Sequence, residues 1–566
     1  MKSNLVRGTR GIRKTRWTVA LRAGLAALLT IAVVSPAHGA DAPIPTTLIA
    51  PAGIADIPAI PFTGTKSATF TTPQTMVNMT VTPDQGVVGD PIVISAKSLT
   101  PNSTYTLTWS TSDASWVAEI QPNTVNYMGT SYSNYNVDMA SVTTDANGAF
   151  SYTTKIPSDW GGVHDIYLVQ NGIGAGHGGI QVARSFTMTP KSGPVGTPIT
   201  VTYTGLGPKL YAAGSALIYD NKFAGEMMAR WTRGTAKAVI LASGAVGKHY
   251  VQANEAISFS YLNVMQSPVP YANSGLGIFT ITKDPGAFKP YIQWPSKVTP
   301  TITQHTTFSK VGLDPATKAT ASLSADSGPV GSKTTLTVAG LSTTGSHQIV
   351  WATVVGNRVN CTGTCWVYNA IPLGTVDVAG TTISKEVTIP DHLGGWHMIQ
   401  LKQGDVVEAQ TEFYVKESIM PFLDKNSKII GSGLAKADLS GSAEAFAKGG
   451  AGTPTNTFKE GEEFTISLKG VGWTQFDNTL AVTYDNSYIG YGCGFNSNGY
   501  LVVHLKATGG VGTHIIDLRP LLYTQQPSFA STPYGMTPVL TFDRDFPGLA
   551  LGYQIPAFHF AINIVK

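Results

Sequence analysis

Four histidines recur in one local setting, and imidazole is the side chain best suited to proton transfer or metal ligation near neutral pH. They are His164 in Gly162-Val163-His164, His249 in Gly247-Lys248-His249, His397 in Gly395-Trp396-His397 and His514 in Gly512-Thr513-His514. Cys361 and Cys365 lie four positions apart. Aromatic residues crowd two polar stretches, Tyr127, Tyr132 and Tyr135 in 126–136, then Trp366 and Tyr368. Asp220-Asn221, Asp485-Asn486, Asp145 and Asn147 carry side-chain oxygens of the kind calcium collects in sixes to eights.

Each group has a chemical and a plainer reading. Four imidazoles at equivalent places of four separate domains cannot share one metal ion, and a histidine at a strand start commonly hydrogen-bonds a loop carbonyl. His164, His249, His397 and His514 are therefore predicted to be structural. Cys361-x3-Cys365 has copper-site spacing, but the residues four and seven beyond Cys365 are Asn369 and Pro372, so the further ligands are missing. In an oxidising compartment the pair instead predicts a small disulfide ring. Cys493 is left over, either as a buried free thiol, the expected state, or as a point of intermolecular linkage. Asx residues in turns are accounted for by local backbone bonding; no metal site is assigned and calcium is the one ion left open. The tyrosines and Trp366 could stack on the apolar faces of a glycan. No nucleophile elbow, zinc-protease helix, phosphate loop or haem attachment motif is present, so no enzymatic function is expected.

The elements that must position these residues read as strands. Asp165-Ile166-Tyr167-Leu168-Val169 and Ile515-Ile516-Asp517-Leu518 follow two of the histidines, and a repeat of this kind turns a long chain into copies of one unit. Gly-rich openings, Thr82–Gly89, Thr189–Gly196 and Ala325–Gly331, lead into alternating strands at Ile92, Ile199 and Thr335. The fourth opening keeps only Lys459-Glu460-Gly461. The next strand ends in Trp109 or Trp351 in the first and third copies, and in Tyr219-Asp220 or Tyr484-Asp485 in the second and fourth. The order is thus A-B-A′-B′. Trp109, Trp351, Tyr219 and Tyr484 are the predicted core aromatics.

The openings Ser-Gly-Pro-Val-Gly at 192–196 and Ser327 to Gly331, with the hairpin Thr144–Ser151, resemble bacterial extracellular immunoglobulin-like repeats, including the IPT/TIG-like group. That resemblance implies an all-β fold of four tandem immunoglobulin-like β-sandwich domains, of the sort found in stalks, surface layers, adhesins and spacers. The expected layout is a signal peptide at 1–40, an extended segment at 41–75, sandwiches at 76–187, 188–284, 319–416 and 456–566, and linkers at 285–318 and 417–455. A short helix is expected at 434–448.

Composition agrees with this. The chain has 566 residues with 60 Gly, 34 Pro and only 13% charged residues. The net charge of +4 comes partly from the basic start Met1–Trp17, which precedes an apolar run and small residues before Asp41, the layout of a secretory signal. The remainder is close to neutral, which excludes a nucleic-acid partner on electrostatic grounds, and carries no second apolar run long enough to span a bilayer. The expectation is a secreted protein of the cell surface, extracellular space or periplasm. It would be structural or interactive and non-catalytic, and would work by self-association or with another surface protein. The extended segment from Pro43 to Thr75 could donate a strand to a neighbour. A carbohydrate-binding protein, or an accessory subunit of an extracellular enzyme or redox complex, is the alternative.

Overall fold

The glycine that closes each opening explains why the motif recurs. Gly89, Gly196, Gly331 and Gly461 have φ of 95°, 85°, 78° and 81°, a region open to glycine at little cost. Each donates its N–H to the end of a later strand, at Ile156, Ala242, Ile389 and Ala507, over 2.9, 2.8, 2.9 and 2.7 Å. The degenerate fourth opening therefore keeps the one residue the turn needs.

The computed structural model describes residues 47–48, 59–121, 124–209, 212–255, 262–266, 275–297, 299, 311–356, 366–419, 456–495, 497–522 and 536–566. By contacts the chain divides into Met1–Pro43 and Ile44–Lys566, and all described residues belong to the second unit. The fold is all-β, built from separate sheets that pair into four sandwiches. Each has a three-stranded sheet: Thr80–Thr82, Pro91–Ala96 and Phe150–Lys155 in the first; Ser185–Thr189, Pro198–Thr204 and Ala236–Leu241 in the second; Thr320–Leu323, Lys333–Ala339 and Thr382–Thr388 in the third; Ser418–Ile419, Glu463–Lys469 and Leu501–Lys506 in the fourth. The facing sheets have seven, five, five and seven strands. Alternating burial along Pro91–Ala96 and Pro198–Thr204 shows why they pair: one face of each strand is apolar and must be covered. Trp109, Trp351 and Tyr219 are buried in these cores, whereas Tyr484 is half-buried at the margin of its own.

Several expectations are revised. Residues 126–136 are not a loop but part of Thr124–Thr143, which pairs with Thr104–Gln121 in a hairpin of 20- and 18-residue strands that runs well beyond the sheet. Its polar sequence misleads because Tyr135 within it meets polar groups, Asp113 of its own hairpin and Arg233 of the second sandwich. The extended segment is not available as a donor strand. Thr47–Leu48 pairs with Val117 and Trp116, Ser67 N–H bonds Asn136 O at 2.9 Å, and Thr71 exchanges bonds with Gly172 and Gly174, all in the same chain. The stretch 285–318 contributes Tyr291–Gln293 to the fourth sandwich, paired with Ala557–His559. At the start of 417–455, Ser418–Ile419 pairs with Leu468–Lys469. Cys493 is exposed, not buried, because it ends a marginal strand whose alternate positions face outward. The proposed ring Cys361–Cys365, the signal segment and the helix at 434–448 lie outside the described residues. Among the described residues, no helix is long and apolar enough to cross a membrane.

Candidate functional site

Each recurring histidine lies flat on the aromatic that defines its sandwich type. His164 stacks on Trp109 and His397 on Trp351 with centroids 4.3 and 4.6 Å apart, and His249 stacks on Tyr219 and His514 on Tyr484 at 5.5 and 5.7 Å. In the A type both ring nitrogens face carbonyls. For His164 these are Ser110 and Trp160 at 2.7 and 2.8 Å, and for His397 they are Ala352 and Gly394 at 3.0 and 3.1 Å. In the B type Nδ1 meets a carboxylate, Asp220 at 2.5 Å from His249 and Asp485 at 2.6 Å from His514, while Nε2 faces the Ala245 or Gly510 carbonyl.

The Asp-Asn pairs belong to the same device. Asp220 and Asn221 have φ of 48° and 62°, Asp485 and Asn486 of 47° and 57°, the two successive positive values that a type I′ hairpin turn requires. The turn carboxylate also accepts the N–H after its histidine, Tyr250 at 2.8 Å and Ile515 at 3.0 Å. Asp145 similarly accepts Asn147 and Ala149 N–H. The three aspartates are thus bonded to backbone amides, Asn486 Nδ2 donates to Leu241 O and Ser243 Oγ at 2.8 Å each, and among the described residues no group of three or more His, Cys, Asp or Glu converges as a metal site.

Environment splits the histidine charges. Burial pushes His397 down to about 4, against the pull of its carbonyl partners. Burial also acts on His514, but the hydrogen bond and charge of Asp485, with Gly510 and Glu460, prevail and raise it.

The aromatic candidates turn inward, to the joints between sandwiches. Tyr132 packs edge-on to Trp160 at 6.1 Å, beside Ala114 and Ala213. Tyr135 donates to Asp113 at 2.9 Å, which also holds Lys66 at 2.9 Å and Arg233 of the second sandwich at 3.1 Å. Tyr368 lies against Val354, Leu393, Trp473 and Phe495, where Val354 is its cross-strand partner as Ala114 is that of Tyr132. Side chains of Tyr127 and Trp366 lie outside the described residues.

These joints repeat. Gly161 N–H donates to Leu206 O at 2.8 Å and Gly394 N–H to Val471 O at 2.9 Å; Leu206 and Val471 donate in turn to Gly234 and Gly499 at 3.1 and 3.0 Å. One exchange distinguishes the copies. Asp159 accepts Trp109 Nε1–H at 2.9 Å and Thr111 at 3.0 Å. In the third sandwich His392 takes that place and meets Thr353 at 3.0 Å, leaving Trp351 Nε1 without a partner. Burial, then the neighbouring His397, lowers His392 to about 3.

A further joint gathers all four sandwiches on residues 536–556. Thr537–Pro538 continues the sheet at Leu521–Leu522. Leu540 N–H then bonds Glu226 O at 2.9 Å, and Thr541 Oγ1 accepts Met228 N–H at 3.1 Å. Asp545, wholly buried, accepts Trp116 Nε1–H of the first sandwich at 2.8 Å and the Arg230 N–H of the second. Arg230 also lies 4.5 Å over the Trp116 ring. Gln554 exchanges bonds with the Tyr414 hydroxyl of the third at 3.2 Å. Nearby Glu417 is buried with Oε2 unpartnered, and burial, with the charge of Asp477, raises its carboxyl well above the usual range.

Two polar clusters escaped the sequence reading. Asp517 binds His559 Nδ1 at 2.8 Å and Arg519 at 3.1 Å, and His559 Nε2 meets Gln293 at 2.8 Å. This resembles an acid–base dyad, but its outer nitrogen is spent on an amide. His347 Nε2 lies 3.0 Å from Thr343 Oγ1 and 3.3 Å from Glu408, with both on one nitrogen, whereas a relay would place the acid at Nδ1. The available signal was a lone charge within an apolar strand, as in Ile515-Ile516-Asp517-Leu518 and Phe558-His559-Phe560.

No protein-family model and no curated protein matches the chain. Among solved structures it is similar to the Escherichia coli alpha-2-macroglobulin, with 7% identity, 85% of this chain and 30% of that chain covered, and a TM-score of 0.15. It is similar to a Salmonella alpha-2-macroglobulin at 7% identity, 87% and 31% coverage and TM-score 0.16. A putative membrane anchored protein from Corynebacterium diphtheriae gives 12% identity, 59% and 90% coverage and TM-score 0.15. The chain spans less than a third of the two macroglobulins, and likeness at these scores carries no argument. The class, an all-β protein of multiple sandwiches, rests on the chain's own sheets.

Proposed function

We propose that this chain is an exported, non-catalytic structural protein of the bacterial cell surface or extracellular matrix, which assembles with copies of itself through its immunoglobulin-like sandwiches. The observation that carries the reading is the joint at 536–556. Its solvent-sealed carboxylate, Asp545, joins the fourth sandwich to the first and second, and Gln554 joins it to the third, as suits a rigid building block and not a set of independently moving binding modules. The Gly-rich openings that resemble IPT/TIG-like repeats agree with it, as does the secretory layout of residues 1–40. The glycan alternative loses support because Tyr132 and Tyr368 are committed to joints.

Negative-stain electron microscopy of the exported chain, with light scattering at the same concentrations, tests the reading with and without calcium. Ordered oligomers, filaments or sheets are expected. A monodisperse monomer in every condition counts against it and returns glycan and partner screens to the front.

A further inference from the structure

Four strands occupy equivalent places in the large sheets: Ile173–Val182, Gly275–Ile281, Val406–Lys416 and Ala557–Val565. The carboxy-terminal end of each pairs in parallel with the opening of its sandwich, at Gln85–Gly86, Ser192–Gly193, Ser327–Pro329 and Thr457–Lys459. Nearer its start, three of the four carry further pairing on the same side. Val77–Asn78 and Thr71 lie on the first, Leu313 on the third and Tyr291–Gln293 on the fourth. In the second sandwich no described residue pairs with Gly275–Phe279 there.

This edge, unpaired among the described residues, is also apolar. Thr280 and Thr282 send their N–H groups to Lys191 and Gly193 at 2.9 Å each, so by the two-residue period the amides of Leu276 and Ile278 point the same way. Leu276 and Ile278 are 56% and 43% exposed, and Tyr250, directly across from Ile278, is 48% exposed. No charged residue occurs between Glu255 and Lys283. Edges in monomers are usually blunted by lysine, proline or a bulge; Gly275–Ile281 carries none and pairs with Gly247–Ala253 without a register shift.

We infer that the open part of this strand, Gly275–Phe279, is an assembly edge on which a second copy of this chain pairs its own Gly275–Phe279, antiparallel, about a twofold axis. The occupant follows from the sister edges, which are all filled by short stretches of this chain. An uncharged edge is complementary to itself, and an interface of one patch with its own copy closes at two. Two amides and three apolar side chains per copy are satisfied at once, the mode by which an exposed edge accepts a strand.

This inference rests on the assembly reading above, so the test separates them. Light scattering after size exclusion compares the exported chain with the double variant Leu276→Lys, Ile278→Lys, whose exposed positions leave the core intact. A dimeric unit in the wild type and a folded monomer in the variant, with the same far-ultraviolet circular dichroism, is the expected result. An oligomer that the variant retains overturns the edge and leaves assembly standing; a monomeric wild type overturns both. Hydrogen exchange gives a check free of mutation. The Leu276 and Ile278 amides are protected at high protein concentration and exchange freely on dilution, and protection independent of concentration contradicts the pairing.

Discussion

Trp116 and Asp545, 429 positions apart, share a 2.8 Å hydrogen bond in a site closed to solvent. The long hairpin of the first sandwich carries the tryptophan, and the return segment of the fourth carries the acid. The bond joins the first sandwich to the last, so neither is placed by its sequence neighbours alone.

Close backbone approach at the repeated joints makes two glycines irreplaceable. A Cβ on Gly161 would lie 1.7 Å from Gly205 O, and one on Gly394 1.6 Å from Gly470 O. Gly161→Ala and Gly394→Ala are each expected to lower stability by about 1–3 kcal/mol or more, as overpacking does. Urea denaturation followed by tryptophan fluorescence measures it; an unchanged midpoint in both would mean the joints are loose.

Tyr132 and Tyr368 should behave as joint residues. Tyr132→Ala and Tyr368→Ala are each expected to cost about 1–3 kcal/mol of stability, less than the ~3–5 of a fully buried large aromatic. Calorimetry of the variants gives this directly, and a glycan array run alongside should be unaltered. A loss of glycan binding at full stability would restore the stacking role.

The histidines give opposite pH dependences. His397 and His392 are held below the free value, so the unfolded chain binds their protons first, and stability falls as pH drops from about 6.5 toward 4. For His397 alone the loss approaches about 3 kcal/mol. His514 is raised, so its contribution is complete below the free value and is lost as pH climbs through the folded one. His397→Gln should therefore flatten the acid side of the stability curve, and His514→Gln should cost more at pH 5.5 than at pH 8.5. Denaturation across pH 4.5–9 decides, and the same slope in both variants would contradict the assignment.

Glu417 is a buried acid whose removal should help. Its folded carboxyl titrates far above the free value, so folding grows costlier as pH rises past about 4.5, the range where the unfolded chain ionises. Glu417→Gln is expected to add about 1–3 kcal/mol at pH 7 and little at pH 4, consistent with relieving an unpartnered buried carboxylate. Thermal midpoints at the two pH values test it, and a loss at pH 7 would show that the charge is paired.

What the sequence disclosed was local. The pairing of Gly-x-His with Trp109 or with Tyr219-Asp220 recurs because one turn and one strand start determine it, and the same residues separate A from B. What stayed hidden lies between repeats. Nothing around Trp116 marks it as a partner for Asp545, and nothing in the polar pattern of 126–136 shows that Tyr135 meets Arg233 across a joint. The donor-strand idea for the segment ending at Thr75 failed for the same reason: the strand it completes belongs to its own sandwich. Cys493 went unread because exposure at a sheet margin depends on what neighbours it in space.

The central claim is that residues 536–556 hold the sandwiches as one body, and hydrogen-exchange mass spectrometry of Asp545→Ala against the wild type tests it most directly. The variant leaves Trp116 Nε1 and the Arg230 amide without their acceptor, at a cost of about 1–3 kcal/mol for each group left unsatisfied. Faster exchange is expected together in Thr104–Gln121, in Lys222–Met228 and in the fourth sandwich, with loss of a single cooperative unfolding transition. Faster exchange confined to the fourth sandwich would contradict the claim and leave four sandwiches that merely touch.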